Sequence, residues 1–344
     1  MNLLRFNRGE HIPTMGPLKA EWEVINICNT KCETCRHWTE EPDESILTTA
    51  EGRDLIRQLA ESGVMHLLFT GGEPLMRKDI IKLIAWAHKY GLKSSLMSNG
   101  LLINERRAKE LVDSNLESVY ISIDAVDSKL NDDLRGLDGY LELAINAIDN
   151  LKSLRNKSRP KIIIKTTISN RNIDQLTELA ELAVTRGIEG FSFQVAQNIE
   201  NSHLAFDESF LLDKKSQLVL MEQLDVLMKN YRRILTGSMK YYQAIREFLE
   251  NPESIQKYRS VIGFSFVKID SWGNVYTCPA KVNKLGNMRD DSFQNIWFGN
   301  LANNLREKIN SNLESNYLFD EVGSLSMNVG QMKWQRCWQL LRPN

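Results

Sequence analysis

The sequence predicts an α/β protein with parallel strands. Two observations carry this. Short apolar runs of strand length alternate with helix-spaced segments about six times between residues 20 and 200, and the strand-like runs end in polar or glycine-bearing turns. Such alternation needs right-handed crossovers, which leaves a doubly wound open sheet or a barrel, complete or partial. Either way, ligands belong at the carboxyl ends of the strands.

The elements follow in order. Pro13, Gly16 and Pro17 mark a lead-in loop before a β-rich run from Trp22 to Ile27, and a cysteine-bearing loop comes next. Leu47 to Ser62 has helical spacing, with Thr48 or Thr49 as N-cap and Gly63 as stop. A strand from Val64 to Phe69 runs into Gly71-Gly72-Glu73-Pro74, where two glycines let backbone approach a ligand closely. The text then reads helix 80–90, strand 94–97, the turn Ser98-Asn99-Gly100, helix 105–113, strand 118–123 and Asp124. Helix 140–154, strand 161–168, helix 173–186 and strand 190–195 complete the alternation. Every unusual polar motif therefore falls on one rim.

Helical patterns take over from residue 201 to 259, in segments 216–235 and 240–250, and their Leu, Met and Tyr spacing reads as packing. Strand-like text returns at Phe264 to Asp270. With the Gly273-Asn274 turn and Val275 to Thr277 it predicts a hairpin. Cys278-Pro279, a Trp297-bearing helix over 292–308, a polar loop over 314–330 and Trp334 to Trp338 follow. No solenoid period or low-complexity segment is present.

Composition narrows the class. The 344 residues are 42% hydrophobic and 25% charged, which suits a globular chain, and 43 basic against 44 acidic residues give a formal charge of -1. No global field argues for nucleic acid or an anionic membrane. The N-terminus is interrupted by Arg5, Arg8 and Glu10 before an apolar run could form a signal peptide or span, so a cytoplasmic protein is expected. Five cysteines are too few for a disulfide scaffold, yet Cys28, Cys32 and Cys35 lie close together. Three thiolates on one loop can wrap a compact metal centre without long-range closure entropy. With His37 they could instead make a structural zinc site. Zinc motifs usually come as paired knuckles, however, and no second pair stands nearby.

The run CNTKCETC, with GGEP, SNG and SIDA following in order over residues 20 to 200, resembles the radical S-adenosylmethionine (SAM) superfamily. The resemblance implies a partial (β/α)6 TIM-like barrel in which Cys28, Cys32 and Cys35 hold three irons of a 4Fe-4S cluster. S-adenosyl-L-methionine would chelate the fourth iron, and one electron would cleave it to methionine and a 5'-deoxyadenosyl radical that takes a hydrogen atom from substrate. It further implies SAM contacts from Gly71, Gly72 and Glu73 at the amino end, Ser122 at the ribose and carboxylate, and Arg135 at the carboxylate. Ser98 and Asn99 would shape the same pocket, and Asp124 would join it or cap a helix. Where many members carry an aromatic residue before the third cysteine, this chain has Thr34, so adenine packing is assigned to His37, Trp38 or Ile168. The electron donor would be a flavodoxin or ferredoxin.

The segment from Phe266 to Trp297 resembles the opening of a SPASM or twitch domain, which carries auxiliary clusters in many members, and Trp334 to Trp338 resembles its terminal Cys-Trp element. Only Cys278 and Cys337 lie outside the first loop, too few for a four-cysteine site, so one cluster is expected. The two thiols are then candidate hydrogen-atom donors, which would make the outcome an epimerisation or another redox-neutral change, or else buried small hydrophobes. The expected organisation is a radical SAM core over 18–200, a helical linker over 201–259 and a small SPASM or twitch-like domain over 260–344.

About twenty residues before the first strand are too few for a leader-binding domain. A small polar substrate such as a sugar, aminocyclitol or nucleoside is therefore the leading expectation. The same chemistry on a ribosomally made peptide, including dehydrogenation, is the alternative. Two other classes compete: a zinc-stabilised binding protein, and an iron-sulfur scaffold that binds SAM without turnover.

Overall fold

A computed structural model of the chain describes residues 10, 12–155, 159–196, 208–258, 261, 263–278, 281 and 283–308. Its centre is one sheet of nine strands. Six come from the alternating region: β1 (Lys19–Glu23), β2 (His66–Thr70), β3 (Lys93–Ser98), β4 (Ser118–Ser122), β5 (Lys161–Ile168) and β6 (Gly190–Val195). Each is parallel to its predecessor, and β6 and β1 do not meet, so the six form an open, partial barrel. The fold is the mixed α/β class the alternation predicts.

Alternation within each strand separates two faces. On β1, β2 and β5 the outward positions Ala20, Trp22, Leu67, Phe69, Ile162, Ile164 and Ile168 join one apolar cluster. That cluster includes Leu55 and Leu59 of α1 (Thr49–Glu61), Leu83 of α2 (Ile80–Lys89), Leu111 of α3 (Glu105–Asp113) and Ile148 of α5 (Tyr140–Leu154). It also takes in Leu179 of α6 (Leu176–Thr185). The opposite, inner face is polar and stays partly open. Helix α1 starts where expected: Thr48 and Glu51 form a capping box, and Gly63 ends the turn with φ 87°. A short helix, α4 (Ser128–Arg135), goes unread in the sequence; it is capped by Asp127 and ended by left-handed Gly136.

The first strand differs from its expectation. The expected strand runs from Trp22 to Ile27, but pairing with β2 stops near Thr70, and residues 24–27 bond instead to the glycine turn. The expected helix over 292–308 is two, α9 (Phe293–Phe298) and α10 (Asn300–Lys308). They break at Gly299, where a Cβ would stand 2.5 Å from the Asn295 carbonyl.

Helices α7 (Lys214–Asn230) and α8 (Met239–Glu250) pack beside the β6 end of the sheet, where residues 234–236 bond to Phe191. Strand β7 (Phe266–Ile269) then lies parallel to β1 on its free edge. Strands β8 (Asn274–Tyr276) and β9 (Lys284–Asn287) continue the sheet antiparallel. The hairpin is thus built onto the barrel. Lys268 is buried between Glu21 and Glu23, 2.9 Å from the latter, and Lys281 meets Glu23 at 2.5 Å. Asp270 closes the β7–β8 turn by accepting from Trp272 N, Asn274 N, the Asn274 amide and Tyr276 Oη. Trp334 to Trp338, Cys337, Pro279 and the loop 314–330 lie outside the described residues. Among the described residues no helix is long and apolar enough to cross a membrane.

Candidate active site

The cysteine loop is held by backbone. Val24 N donates to Thr70 O (2.8 Å), Gly72 N to Ile25 O (3.0 Å) and Glu73 N to Ile27 O (2.9 Å). A Cβ on Gly71 would lie 2.3 Å from Ile25 O and one on Gly72 1.8 Å from Ile27 O. What these glycines admit at close range is therefore the chain leading into the loop. Further along, the Asn99 amide donates to Asn29 Oδ1 (2.7 Å), Glu33 N to Leu134 O (3.0 Å) and Cys35 N to Cys32 O (3.2 Å). Thr30 Oγ1 stands between two thiols, 3.3 Å from Cys28 and 3.5 Å from Cys32.

The three thiols are half-buried, and none is in a disulfide. Burial pushes Cys28 up from its ordinary value and Cys35 to about 12. Cys28 and Cys35 are neutral thiols unless a cationic centre deprotonates them, as metal ligation does. No three His, Cys, Asp or Glu side chains among the described residues converge as one metal ion would need. His37 has its Nδ1 engaged 3.2 Å from Asn26 O, and burial lowers its pKa. Three thiols spread along one loop, not converging with a histidine on a single point among the described residues, fit a multi-iron cluster better than tetrahedral zinc.

Glu73 is 1% exposed. Its Oε1 accepts from Leu75 N (3.0 Å) and Ser98 Oγ (2.9 Å), and its Oε2 from Asn99 N (2.8 Å). Burial still pushes the carboxyl to about 7. Glu73, Ser98 and Asn99 thus form one joint between the β2 and β3 ends. Tyr140 Oη donates to the Asn99 and Ser122 carbonyls, 3.0 Å each, and extends the joint to β4. The expectation that Asp124 caps a helix is corrected, because Asp127 takes that position. Asp124 pairs with Arg135 Nε at 2.7 Å and accepts from Thr167 N at 2.8 Å. Arg135 also reaches Cys32 Sγ, 3.9 Å from Nη1. Burial works against the Arg135 charge, but Asp124 together with Tyr140 and Cys32 outweighs it and holds the guanidinium above its ordinary range.

The rim therefore brings together Cys28, Cys32, Cys35, Gly71, Gly72, Glu73, Ser98, Asn99, Ser122, Asp124 and Arg135. Cys278 is not among them. It is 1% exposed in the apolar cluster, and it follows β8, which runs away from the rim. Ile168 is fully buried on the outward face, because strand alternation turns it under the helices, and it is removed as an adenine contact. Trp38 is 41% exposed and donates from Nε1 to Cys35 O (2.8 Å). Sequence reading missed Asn29, Thr30 and Tyr140. Only the first two, inside the cysteine loop, carried any signal.

An open α/β barrel with a three-cysteine loop on its carboxyl rim defines an iron-sulfur class of protein. Residues 22–183 match the Radical SAM superfamily, and residues 261–317 match SPASM, an iron-sulfur cluster-binding domain. The chain belongs to the radical SAM superfamily, with a SPASM-type C-terminal part. Membership makes it a radical SAM enzyme and implies a 4Fe-4S cluster and SAM. It is 29% identical over 299 residues to the mycofactocin maturase MftC of Mycolicibacterium smegmatis, covering 85% of this chain and 73% of that protein. It is 27% identical over 297 residues to an AdoMet-dependent heme synthase of Oleidesulfovibrio alaskensis, covering 80% and 73%. Streptococcus suis SuiB bound to SAM shares the fold with a TM-score of 0.67 at 20% identity, covering 84% and 68%. SuiB bound to its precursor peptide SuiA gives 0.66 at 17%, covering 89% and 70%.

Proposed function

We propose that the protein is a maturase-type radical SAM enzyme that abstracts a hydrogen atom from a peptide. The observation that carries this is the likeness to a mycofactocin maturase over 85% of the chain. The fold shared with a protein solved on its precursor peptide agrees with it. The heme synthases among the relatives act on a different substrate class, and none of the relatives named above supports a sugar, aminocyclitol or nucleoside. The inner face suits a peptide as well. Tyr120, Ser122, Lys165, Thr167, Ser192 and Gln194 stand half-exposed there on adjoining strands, with Ser122, Lys165 and Ser192 in register. Hydroxyl and amide groups in a row match the donors and acceptors of a peptide backbone.

In this reading Cys28, Cys32 and Cys35 ligate the cluster, while Gly71 to Glu73, Ser98, Asn99 and Ser122 shape the SAM pocket. A bound cluster and SAM would supply one-electron cleavage of the sulfonium, and with it a hydrogen-abstracting radical. The chain's part is to hold the loop, present the open sulfurs and enclose the inner face. Residues 18–200 make up the core, 201–259 the linker and 260–344 the SPASM-type domain. The number of clusters is tested with the ligands, and a flavodoxin or ferredoxin supplies the electron.

The test begins with iron and sulfide counts on anaerobic wild type beside the Cys28→Ala, Cys32→Ala, Cys35→Ala triple variant. About four irons should be lost with the triplet, and iron that stays behind belongs to the C-terminal part. Dithionite-driven release of 5'-deoxyadenosine is then compared across a short-peptide library and a panel of sugars, aminocyclitols and nucleosides. Several-fold stimulation by peptides alone is expected. Stimulation by the small molecules alone would return the protein to small-molecule chemistry.

A further inference from the structure

We propose that Arg135 is a positioning residue for the cysteine loop, donating to the Cys32 sulfur and favouring the one-electron-reduced form of the cluster that the loop holds. This rests on the iron-sulfur reading above. It departs from the sequence expectation, which aimed Arg135 at the SAM carboxylate.

The geometry points one way. The Arg135 side chain is almost wholly buried at the last turn of α4, and its ring-facing side lies over Tyr140, 5.6 Å from the centroid. Its Nε forms an ion pair with Asp124 at 2.7 Å, which leaves Nη1 turned to Cys32 Sγ at 3.9 Å, the long end of the range for a donor to sulfur. Asp124 is fixed in turn: Thr167 N bonds its Oδ1 (2.8 Å), the Asn172 amide bonds its carbonyl (2.9 Å), and its own N–H bonds Asn131 Oδ1 (2.9 Å). The ion pair and the Tyr140 ring together hold the guanidinium toward the cysteine loop.

The backbone at the end of α4 is seated on the same loop. Leu134 O accepts from Glu33 N at 3.0 Å, and a Cβ at left-handed Gly136 would stand 2.3 Å from Lys31 O. Residues 134, 135 and 136 each touch the segment 31–33 that contains Cys32. A helix end clamped there fixes the loop, and its arginine supplies a cation beside one sulfur. Hydrogen bonds to ligand sulfurs set iron-sulfur potentials, and a nearby positive charge makes an added electron easier to accommodate.

The measurement is a potentiometric titration of the anaerobically reconstituted full chain, without SAM, followed by electron paramagnetic resonance. Arg135→Gln and the pair Asp124→Asn with Arg135→Met are compared with wild type; the pair leaves no buried carboxylate without its cation. Both should load iron and show reduction disfavoured about tenfold, a midpoint lower by ~60 mV for one electron. An unchanged midpoint in both overturns the proposal, and an accompanying loss of the SAM-induced spectral change would hand Arg135 back to the SAM carboxylate. Failure of both to load iron while melting as wild type also overturns it, since the residue would then serve loading alone. Absence of a cluster from wild type instead refutes the functional reading, a separate result.

Discussion

Two regions flank β1 and, apart from the Asp124–Arg135 pair on the rim, treat buried polar groups differently. On the carboxyl rim, the side chains of Glu73, Asn99 and Tyr140 bond largely to backbone, and three sulfurs are left with half-open surfaces. At the β1–β7 junction charges meet charges: Lys268 lies between Glu21 and Glu23, and Lys281 caps the second carboxylate. The junction closes on itself, which is the behaviour of a clamp. The rim fixes a scaffold while leaving ligating capacity unspent, which is the behaviour of a site.

Lys268→Met is the harshest test of that contrast. It strips a cation from buried Glu23 and from largely covered Glu21, and breaking a buried pair costs about 3–5 kcal/mol. Urea unfolding at neutral pH should show the loss while iron per folded chain stays at the wild-type value. Equal losses in both would mean that clamp and site are one unit.

Gly72→Ala attacks the rim in turn. The added carbon 1.8 Å from Ile27 O forces backbone apart, for ~3 kcal/mol by analogy with severe overpacking. Here iron retention should fall together with stability. Retention at the wild-type level would show that the glycine turn does not govern the loop.

The smallest effect is a slope. Glu73 titrates near 7 in the folded chain, above its ordinary range, so between about pH 4 and 7 the native state binds more protons than the unfolded state. Stability is therefore lost as pH rises through that window and is level above it. Against Glu73→Gln, which cannot ionise, wild type should lose on the order of 2 kcal/mol between pH 5 and pH 8. A constant difference would mean that the joint carries its charge without penalty.

Much of the rim is legible in sequence because its parts are local. Cysteine spacing, the Gly71-Gly72-Glu73 turn and the strand-ending Ser98-Asn99 each announce themselves within a few residues. Helix α4 did not: its eight residues bury only Asn131 and Leu134, so no apolar stripe marks it. Its signals were Asp127 and Gly136, a cap at either end. Without α4 in view, Arg135 could not be placed beside Cys32. The junction was illegible for a different reason. FVKID reads correctly as a strand, but its partner stands 247 residues earlier, and nothing near Lys268 names Glu21. The same holds for Cys278, whose burial follows from packing between distant segments.

The pairing of β7 with β1 also sets an order of events during synthesis. Strand β1 is made well before β7, and its second edge and its two acidic residues wait until some 245 more residues have followed. Through that interval the growing chain carries an uncovered strand border, the kind of surface that recruits stray partners. Strand β1 is thus completed only by a segment made much later, and the rim-bearing part of the sheet reaches its finished form when β7 arrives to close its edge.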